Sequence, residues 1–294
     1  MTLGQDAQII DPNGLSSRDF KRLAEFIQDT CGIRMPPTKK TMLEGRLRRR
    51  VRALGLPSLS DYCGWLFDRG RPEAGHSGDE IIHLIDAVTT NKTDFFRERQ
   101  HFDHLVAHTL PTLLETPARP GLDRPLKVWS AACSTGSEPY TLAMVLDDFT
   151  RKQRGFRFEI LATDICTDVL AKGKHAVYPE EMIAPVPHEW RHRYFLRSRN
   201  RENATIRVAP FIRQMVKFGR LNLMDEAYPI EDRMDIIFCR NILIYFDRER
   251  QEAVLRRLCE HLRPDGYLFV GHTDTITGMD LPLRQVTMSV FSLR

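Results

Sequence analysis

Hydrophobic residues recur at helical spacing near the start of the chain. Within residues 15–32, Ser16 and Asp19 have the spacing of an N-cap and its first-turn acid, and Gly32 stands where the helix should end. The apolar residues between them, at positions 20, 23, 24 and 27, fall on one helical face. This segment is therefore predicted to be an amphipathic helix.

A second helical pattern covers residues 38–57 and separates apolar from basic positions. Its apolar stripe consists of Leu43, Leu47, Val51 and Leu54. The opposite face carries Arg48, Arg49 and Arg52. Shorter helical patterns begin at Ser60 and at Asp79. Residues 1–88 are therefore predicted to form a small all-helical domain.

Residues 89–126 separate this domain from the next. Apolar positions in "DFFRERQHFDHLVAHTLPTLLE", which starts at Asp94, predict a longer helix. The following "TPARPGLDRP" has the prolines and glycine of a connector.

From residue 127 to residue 294, short apolar runs alternate with amphipathic helical patterns. Strands are predicted at residues 128–132 and in "FRFEILATDI", "MDIIFCRN" and "YLFVGH", with helices between them. This alternation predicts an α/β domain with a mainly parallel sheet covered on both faces. The last segment, "VTMSVFSLR", has no crossover helix before it and is expected to pair antiparallel.

One stretch interrupts the alternation between Trp190 and Leu221. There "YFLR", "ATIRVA" and "MVKFGRL" have the pattern of short strands joined by polar residues. We therefore expect a small antiparallel β-subdomain at about residues 190–221.

Composition narrows the class of protein. Lysine plus arginine total 43 and aspartate plus glutamate 39, so the net charge of +4 is too small to indicate nucleic-acid binding. The six cysteines form no C-x-x-C pair, and we expect reduced thiols and no metal site. No apolar run approaches the ~18–20 residues of a membrane span, and "MTLGQDAQIIDPNG" lacks the pattern of a signal peptide. A cytoplasmic protein without membrane insertion is expected.

The segment "KVWSAACSTGSEPYTLAMVL" combines a strand, a turn of small residues and a helix, an arrangement that binds ligands in open α/β sheets. Gly136 would let a ligand approach the backbone, but the G-x-G-x-x-G pattern is incomplete, and an ordinary turn is the alternative. Asp164, at the tip of the next strand, is placed to accept hydrogen bonds from a ribose diol. Its alternative role is a cap on the helix that begins near Cys166.

Glu138 indicates the charge of the ligand. A helix N-terminus favours a phosphate, but a carboxylate in the first turn would repel one and attract a cation. An amino group or sulfonium beside Glu138, with a ribose on Asp164, describes S-adenosylmethionine rather than a dinucleotide. The alternative is that Glu138 only complements the helix dipole.

The strand in "DIIFCRNILIYFD" ends in polar residues. Arg240 and Asn241 at its tip can face the ligand, and Tyr245 can reach it from the following turn. Packing in the core explains the apolar residues of this strand but not Arg240, since arginine is seldom buried without a partner.

Taken together, these segments resemble the chemotaxis receptor methyltransferase family, the CheR-type protein-glutamate O-methyltransferases. The matching stretches, in order over some two hundred residues, are "TTNKTDFFRE", "WSAACSTGSEPYTLAM", "ILATDI", "FGRLNLMD", "DIIFCRNILIYFD" and "YLFVGHTDT". The resemblance implies a Rossmann-like methyltransferase domain with a small β-subdomain, preceded by an all-helical domain, with residues 89–126 contributing to the active site. It also implies S-adenosylmethionine as cofactor, S-adenosylhomocysteine as product, and no metal.

The resemblance further implies roles for individual residues. Together with Asn241 from the strand-tip argument, the expected cofactor-binding residues are Asn91, Thr93, Arg97, Glu138, Asp164, Asn222, Leu223, Cys239 and Arg240. Arg97 and Tyr245 match positions near the reacting methyl group and are the implied catalytic residues. The implied substrate-binding residues are Arg46, Arg48, Arg49, Arg50, Arg52 and Arg197.

The implied partner is the cytoplasmic domain of a chemoreceptor, a methyl-accepting chemotaxis protein. We expect the enzyme itself to be a monomer. Without the resemblance, a solvated surface is the more ordinary interpretation of the basic helix. Some family members dock a tethering peptide through a glycine-containing loop, whereas "RSRNRENATIRV" has no glycine and leaves tethering open.

Glutamate methylation agrees with the lack of an evident general base. A glutamate side chain has an ordinary pKa of about 4.3, so the nucleophile is already ionised at neutral pH. Three alternatives stay open: a nucleic-acid methyltransferase, a non-catalytic S-adenosylmethionine-binding regulatory module, and a nicotinamide dehydrogenase. The sequence has no N-P-P-Y-like base pocket, which counts against the first alternative. Its glycine pattern is incomplete, which counts against the third.

Overall fold

The computed structural model describes residues 14–67, 77–199 and 204–294. The chain divides into two compact units, Met1–Thr89 and Thr90–Arg294. The N-terminal segment "MTLGQDAQIIDPNG", apart from its last residue, and part of the "RSRNRENATIRV" loop lie outside the described residues. Every helix in the described ranges is too short or too polar to cross a membrane.

The first unit is all-helical where it is described. Its helices are α1 (Ser17–Cys31), α2 (Lys40–Ala53), α3 (Leu59–Phe67) and α4 (Ser77–Val88). The Ser16 hydroxyl accepts from the Asp19 N–H at 3.0 Å, and Gly32 ends α1 with a φ of 75°. Both predicted boundary signals of α1 are therefore confirmed.

The core of the first unit is built from the predicted apolar stripes. Leu23 and Ile27 of α1 and Leu43 and Leu47 of α2 are fully buried. At about 25 cal/mol per Å² of apolar surface, burying such a side chain contributes about 1.5–3 kcal/mol. The amphipathic pattern therefore positions these helices through their apolar faces.

The second unit alternates helices and strands. In chain order the elements are α5 (Gln100–His104), α6 (Leu110–Glu115), β1 (Leu126–Ala131), α7 (Ser137–Lys152), β2 (Phe158–Asp164), α8 (Thr167–His175), β3 (Val177–Pro179), α9 (His188–Tyr194), β4 (Phe195–Arg197), β5 (Thr205–Val208), α10 (Pro210–Arg213), β6 (Val216–Arg220), β7 (Met234–Cys239), α11 (Arg248–Glu260), β8 (Leu262–Val270), β9 (Leu283–Thr287) and β10 (Val290–Leu293).

A seven-stranded sheet runs in the order β6-β2-β1-β7-β8-β10-β9. Strands β6, β2, β1, β7 and β8 pair in parallel, and β10 pairs antiparallel with both β8 and β9. Side chains alternate between two buried clusters: Val128 and Phe238 belong to one, and Trp129 and Cys239 to the other. The predicted two-faced α/β sheet is confirmed.

The C-terminal segment pairs antiparallel, as expected, but it forms a hairpin. Strand β9 precedes β10 and pairs with it, so the chain ends in two strands. Strand β9 begins at Leu283, before the segment "VTMSVFSLR". Its residues Arg284 and Gln285 are polar and exposed, so the apolar pattern did not reveal this strand.

The helix expected from Asp94 begins six residues later, at Gln100. Phe96 and Glu98 have φ values of 54° and 55°, which no α-helix can contain. The helix then continues through a π-helical turn, Leu105–Thr109, into α6. Residues 94–99 instead form a turn that brings polar groups to the end of the sheet.

The β-subdomain differs in its boundaries from the predicted range of about 190–221. Strands β3, β5 and β4 form the three-stranded antiparallel sheet, so Val177–Pro179 belongs to it although the sequence pattern missed it. The "MVKFGRL" segment does not belong there, because β6 pairs in parallel with β2 at the edge of the main sheet. A strand of five residues does not reveal its partner when that partner lies some fifty residues away.

Candidate functional site

The candidate site lies where parallel strands β2, β1 and β7 end side by side. Ala131 of β1 pairs with Thr163 of β2 and with Cys239 of β7, so the residues that follow each strand emerge at one edge. Strand order reverses between β1 and β7, which is the switch point where open α/β sheets bind ligands. Asp164 and Arg240 are the residues placed there by this register.

The turn after β1 has an unusual backbone. Ala132, Ser134 and Gly136 have φ values of 59°, 51° and 93°. A β-carbon at Gly136 would lie 3.1 Å from the Tyr178 hydroxyl and 3.2 Å from the Gly173 Cα. Gly136 is therefore needed both for its backbone conformation and for the close packing of the turn.

Asp164 fastens this turn to β2. Its carboxylate accepts from the Ser134 N–H at 2.8 Å and from the Cys166 N–H at 3.0 Å. The second bond is an Asx turn before α8, whose N-cap is Cys166 and has no side-chain cap bond, so Asp164 is not the helix cap that the sequence left as an alternative. The first bond links two strand ends. Asp164 is nearly buried, so it shapes the turn whatever ligand the turn holds.

Glu138 lies in the first turn of α7 and is held at both carboxylate oxygens. Oε1 accepts from the Ser130 hydroxyl at 2.7 Å, and Oε2 accepts from Arg240 Nη1 at 3.1 Å. Burial raises the pKa of Glu138, although Arg240 and Ser130 act to lower it. The carboxylate is thus a desolvated acid aimed by two fixed donors.

Arg240 is buried, with only 1% of its side chain exposed, and its partners are acidic. Nη1 binds Glu138, while Nη2 donates to Glu98 Oε2 at 3.0 Å and to the Arg97 carbonyl oxygen. The guanidinium also lies over the rings of Phe102 and Phe238, with centroids at 5.5 and 5.9 Å. Arg240 is thus paired, as a buried arginine should be. One of its two carboxylate partners, Glu138, was among the predicted site residues, and the other, Glu98, was not.

Glu98 is therefore a residue of the site that the sequence analysis missed. Burial acts to raise the pKa of Glu98, but the Asn241 amide and the Arg240 guanidinium outweigh it and hold the pKa below its ordinary value. Asn241 Nδ2 donates to Glu98 Oε1 at 2.9 Å. The signal was available, since Glu98 ends the "TTNKTDFFRE" stretch and Arg240 needed an acidic partner.

Asn241 is held in a left-handed conformation by a second missed acid. Its φ is 58°, and its N–H donates to Asp274 Oδ2 at 2.7 Å. Gly271 also donates to that oxygen, at 2.9 Å, and a β-carbon there would lie 2.5 Å from Asn241 Nδ2. Burial raises the pKa of Asp274 despite these backbone donors. The loop after β8 thus fixes the loop after β7.

Residues 91–99, which precede α5, reach the same edge of the sheet. The Asn91 carbonyl oxygen accepts from the Ser134 hydroxyl at 2.9 Å, which ties the stretch to the β1 turn. Thr93 is partly buried. Arg97, also partly buried, donates from Nη1 to the Lys92 carbonyl oxygen at 3.0 Å, and its own carbonyl accepts from Arg240.

Other predicted cofactor residues line the neighbouring strand ends. Asn222 Oδ1 accepts from the Met224 N–H at 3.0 Å and so shapes the loop after β6. Leu223 is buried, and its carbonyl oxygen accepts from Tyr228 and Arg257. Burial raises the pKa of the Cys239 thiol well above its ordinary value, so this thiol lies in the core as an inert group.

The implied catalytic residue Tyr245 and the implied substrate-binding residue Arg197 lie on short elements. Tyr245 ends a 3₁₀ turn, Leu243–Tyr245, and is partly buried against the second apolar cluster. Ile244 beside it is 50% exposed. Arg197 lies on β4, where it pairs with Glu180 at 3.1 Å in an exposed position.

The five arginines of α2 separate into two groups. Arg46 donates to the carbonyl oxygens of Val88 and Thr89 at 2.6 and 2.8 Å, and Arg50 pairs with the buried Glu80. The exposed members are Arg48, Arg49 and Arg52. Two of the five side chains thus hold the first unit together, and three form a basic exposed surface.

One group of side chains in the described residues has the donor atoms and spacing to hold a metal ion. Ligand atoms of Glu98, His101 and His272 all lie within 4.8 Å of one another. Burial, with a further contribution from Arg240, lowers the pKa of His101 to about 3, so this imidazole is neutral.

Two family models and several named relatives match most of this chain. The model of the CheR methyltransferase all-alpha domain matches residues 18–89, and the model of the CheR methyltransferase SAM-binding domain matches residues 91–291. The chemotaxis protein methyltransferase of Salmonella typhimurium is 36% identical over 280 residues, which cover 95% of this chain and 91% of that protein. That of Escherichia coli is 35% identical over 286 residues, covering 97% and 94%. That of Borreliella burgdorferi is 34% identical over 265 residues, covering 90% of both chains.

Proposed function

The chain belongs to the CheR methyltransferase family, a family of S-adenosylmethionine-dependent chemotaxis methyltransferases, and on this premise we propose that its substrate is a chemoreceptor glutamate. The reaction transfers the methyl group of S-adenosylmethionine to the γ-carboxylate and leaves a glutamate methyl ester and S-adenosylhomocysteine. The partner is the cytoplasmic domain of a methyl-accepting chemotaxis protein, and we expect the enzyme to act as a monomer in the cytoplasm.

The observation that carries this proposal is the buried carboxylate of Glu138 at the switch point. It is held by Ser130 and Arg240 in the first turn of α7, where a phosphate would meet a negative charge. The methyl donor carries an ammonium and a sulfonium, and a desolvated acid favours such a cation. In this proposal Glu138 binds the amino acid end of the cofactor, and Asp164 binds its ribose.

The chemistry needs positioning more than proton transfer. A glutamate is already ionised at neutral pH, so no general base is required. Carboxylate and sulfonium become a neutral ester and a thioether, which means that charge is consumed on the way to the transition state. A water-poor site therefore favours the reaction, since the separated ions lose more solvation than the charge-diffuse transition state. Alignment of the two reactants can supply about 7–11 kcal/mol.

Within this proposal Arg97 orients the substrate carboxylate through its fork of donors. A unit charge pair at 4 Å and an effective dielectric near 20 is worth about 4 kcal/mol. The same positive charge reduces nucleophilicity, so Arg97 orients and does not activate. Tyr245 packs or donates a hydrogen bond near the methyl group.

We further propose that the receptor helix binds the exposed arginines of α2. The proposed substrate side chain is a carboxylate, and Arg48, Arg49 and Arg52 offer complementary charge. Arg46 and Arg50, which were expected on the same surface, already bind carbonyl oxygens and Glu80 inside the first unit.

The test is methyl transfer to a receptor fragment. The full chain is incubated with methyl-labelled S-adenosylmethionine and a receptor cytoplasmic fragment, and the product is treated with base. Carboxyl methyl esters release volatile labelled methanol, whereas N-methyl products do not. A matched fragment whose candidate glutamates are replaced by glutamine should release none. Label that stays in the protein after base treatment, or that appears only in added nucleic acid, contradicts the proposal.

A further inference from the structure

Three side chains beside Arg240 form a group that the methylation chemistry leaves without a role. Glu98 lies on the turn before α5, His101 lies in the first turn of α5, and His272 follows β8. His101 is 2% exposed, and its Nδ1 has no hydrogen-bond partner among the described residues. A buried polar atom without a hydrogen-bond partner destabilises the folded state, so its arrangement calls for an explanation.

The geometry points to a binding site for a divalent transition-metal ion, of which Zn²⁺ is the best-matched example, formed by Glu98, His101 and His272. His101 Nδ1 lies 3.4 Å from Glu98 Oε2. Two ligands at metal distances of about 2.0–2.2 Å and a tetrahedral angle are themselves about 3.3–3.5 Å apart. This nitrogen and this oxygen are therefore already separated by one edge of a zinc tetrahedron.

The outer contacts also match a metal site. His101 Nε2 lies within hydrogen-bond distance of the Ser289 hydroxyl, a contact that fixes the ring through the nitrogen that does not face Glu98. The unpaired Nδ1 of His101 thus faces the carboxylate with which it would share the ion. His272 is exposed, its ring lies 4.7 Å from that of His101, and a change of rotamer completes the third ligand. Water can occupy the fourth position.

The donor set decides the class of ion. Two imidazole nitrogens and one carboxylate oxygen suit zinc and its neighbours in the transition series, whereas magnesium and calcium require oxygen ligands. Charge also favours an ion here. Glu98, Glu138 and Arg240 carry a net charge of −1 when ionised, so one guanidinium is shared between two carboxylates.

The same charges predict that metal and methyl donor oppose one another. Glu98 Oε2 is the oxygen that holds Arg240, which in turn holds Glu138. An ion on that oxygen withdraws the carboxylate from Arg240 and adds positive charge near the proposed cofactor cation. Coupling between sites of this kind usually changes affinity by about 5–150-fold, and it acts equally in both directions. This second expectation rests on the proposed cofactor site, whereas metal binding itself does not.

The experiment titrates Zn²⁺ into the full chain against a chromophoric chelator and uses Co²⁺ to report coordination by its absorption spectrum. We expect tetrahedral Co²⁺ without a thiolate charge-transfer band, since the cysteines are buried. His272→Ala should weaken Zn²⁺ binding at least tenfold, with an unchanged thermal unfolding curve because the side chain is exposed.

Two control variants test the rival histidine pairs. His104 and His108 have ring centroids 4.9 Å apart, and His188 and His192 have centroids 5.4 Å apart, and each pair could bind zinc weakly. His108→Ala and His192→Ala should leave the tight affinity unchanged. Unchanged affinity in His272→Ala, or equal loss in either control, overturns the site. Zinc that binds at this site without weakening S-adenosylhomocysteine binding by at least fivefold would overturn the coupling alone.

Discussion

Replacement of Arg240 by methionine removes a cation that two largely buried acids share. In the native structure Arg240 lies 3.0 Å from Glu98 and 3.1 Å from Glu138, and the side chains of these glutamates are 14% and 13% exposed. Breaking a buried ion pair from one side usually costs about 3–5 kcal/mol, because the remaining charge is buried without compensation. We expect Arg240→Met to lose about that much of its free energy of unfolding at pH 7.5.

The loss should depend on pH in a defined direction. Burial already raises the pKa of Glu138, and removal of Arg240 takes away the main influence that lowers it. A carboxyl group with a raised folded-state pKa stabilises the folded state below its unfolded pKa, and this stability is lost as the pH rises through the folded pKa. The penalty of Arg240→Met should therefore grow with pH from the ordinary glutamate pKa of about 4.3 upward.

The assay is urea unfolding of the native chain and the variant at a series of pH values from about 5 to 8. A variant that also carries Glu98→Gln and Glu138→Gln is the matched control, because it removes the uncompensated charges. It should recover most of the lost stability and show no pH dependence from this site. A penalty below about 1 kcal/mol, or a penalty that is the same with and without the two glutamines, would refute the reasoning.

The remaining predictions concern the reaction and the turn around it. Arg97→Ala should abolish most methyl transfer, measured by labelled methanol release, and should reduce S-adenosylhomocysteine binding less, measured by calorimetry. Equal losses of transfer and binding would place Arg97 wholly in the cofactor site. Asp164→Ala should weaken cofactor binding in calorimetry, and unchanged affinity would remove its ribose role. Gly271→Ala should destabilise the chain by about 1–3 kcal/mol in urea unfolding, because its β-carbon would lie 2.5 Å from Asn241 Nδ2. The control Gly45→Ala, inside α2 with open space around it and no positive φ, should not destabilise the chain.

The sequence revealed those parts of the fold that depend on local spacing. The Ser16 cap, the stripe of Leu43 and Leu47, and the alternation of strands and helices could all be read from residues that are near one another. The turn at Phe96 and Glu98 could not be predicted in this way, because its positive φ values accompany contacts of Glu98 with residues more than a hundred positions away. Local periodicity therefore predicted helix where tertiary contacts impose a turn.

The candidate site shows the same limit. Glu138, Asp164 and Arg240 were found because each stands at a predicted strand or helix end. Glu98 and Asp274 were missed because their role is to hold Arg240 and Asn241, and a partner of this kind is visible only after the strands are registered. The unpaired Nδ1 of His101 likewise has no signal in the sequence.

The most direct measurement is a crystal structure of the chain with bound S-adenosylhomocysteine. The proposed cofactor site requires that a Glu138 carboxylate oxygen lies about 2.7–3.2 Å from the amino nitrogen of the ligand and that Asp164 lies at a similar distance from the ribose hydroxyls. A ligand bound elsewhere, or bound at this edge of the sheet without contact to either acid, would contradict it.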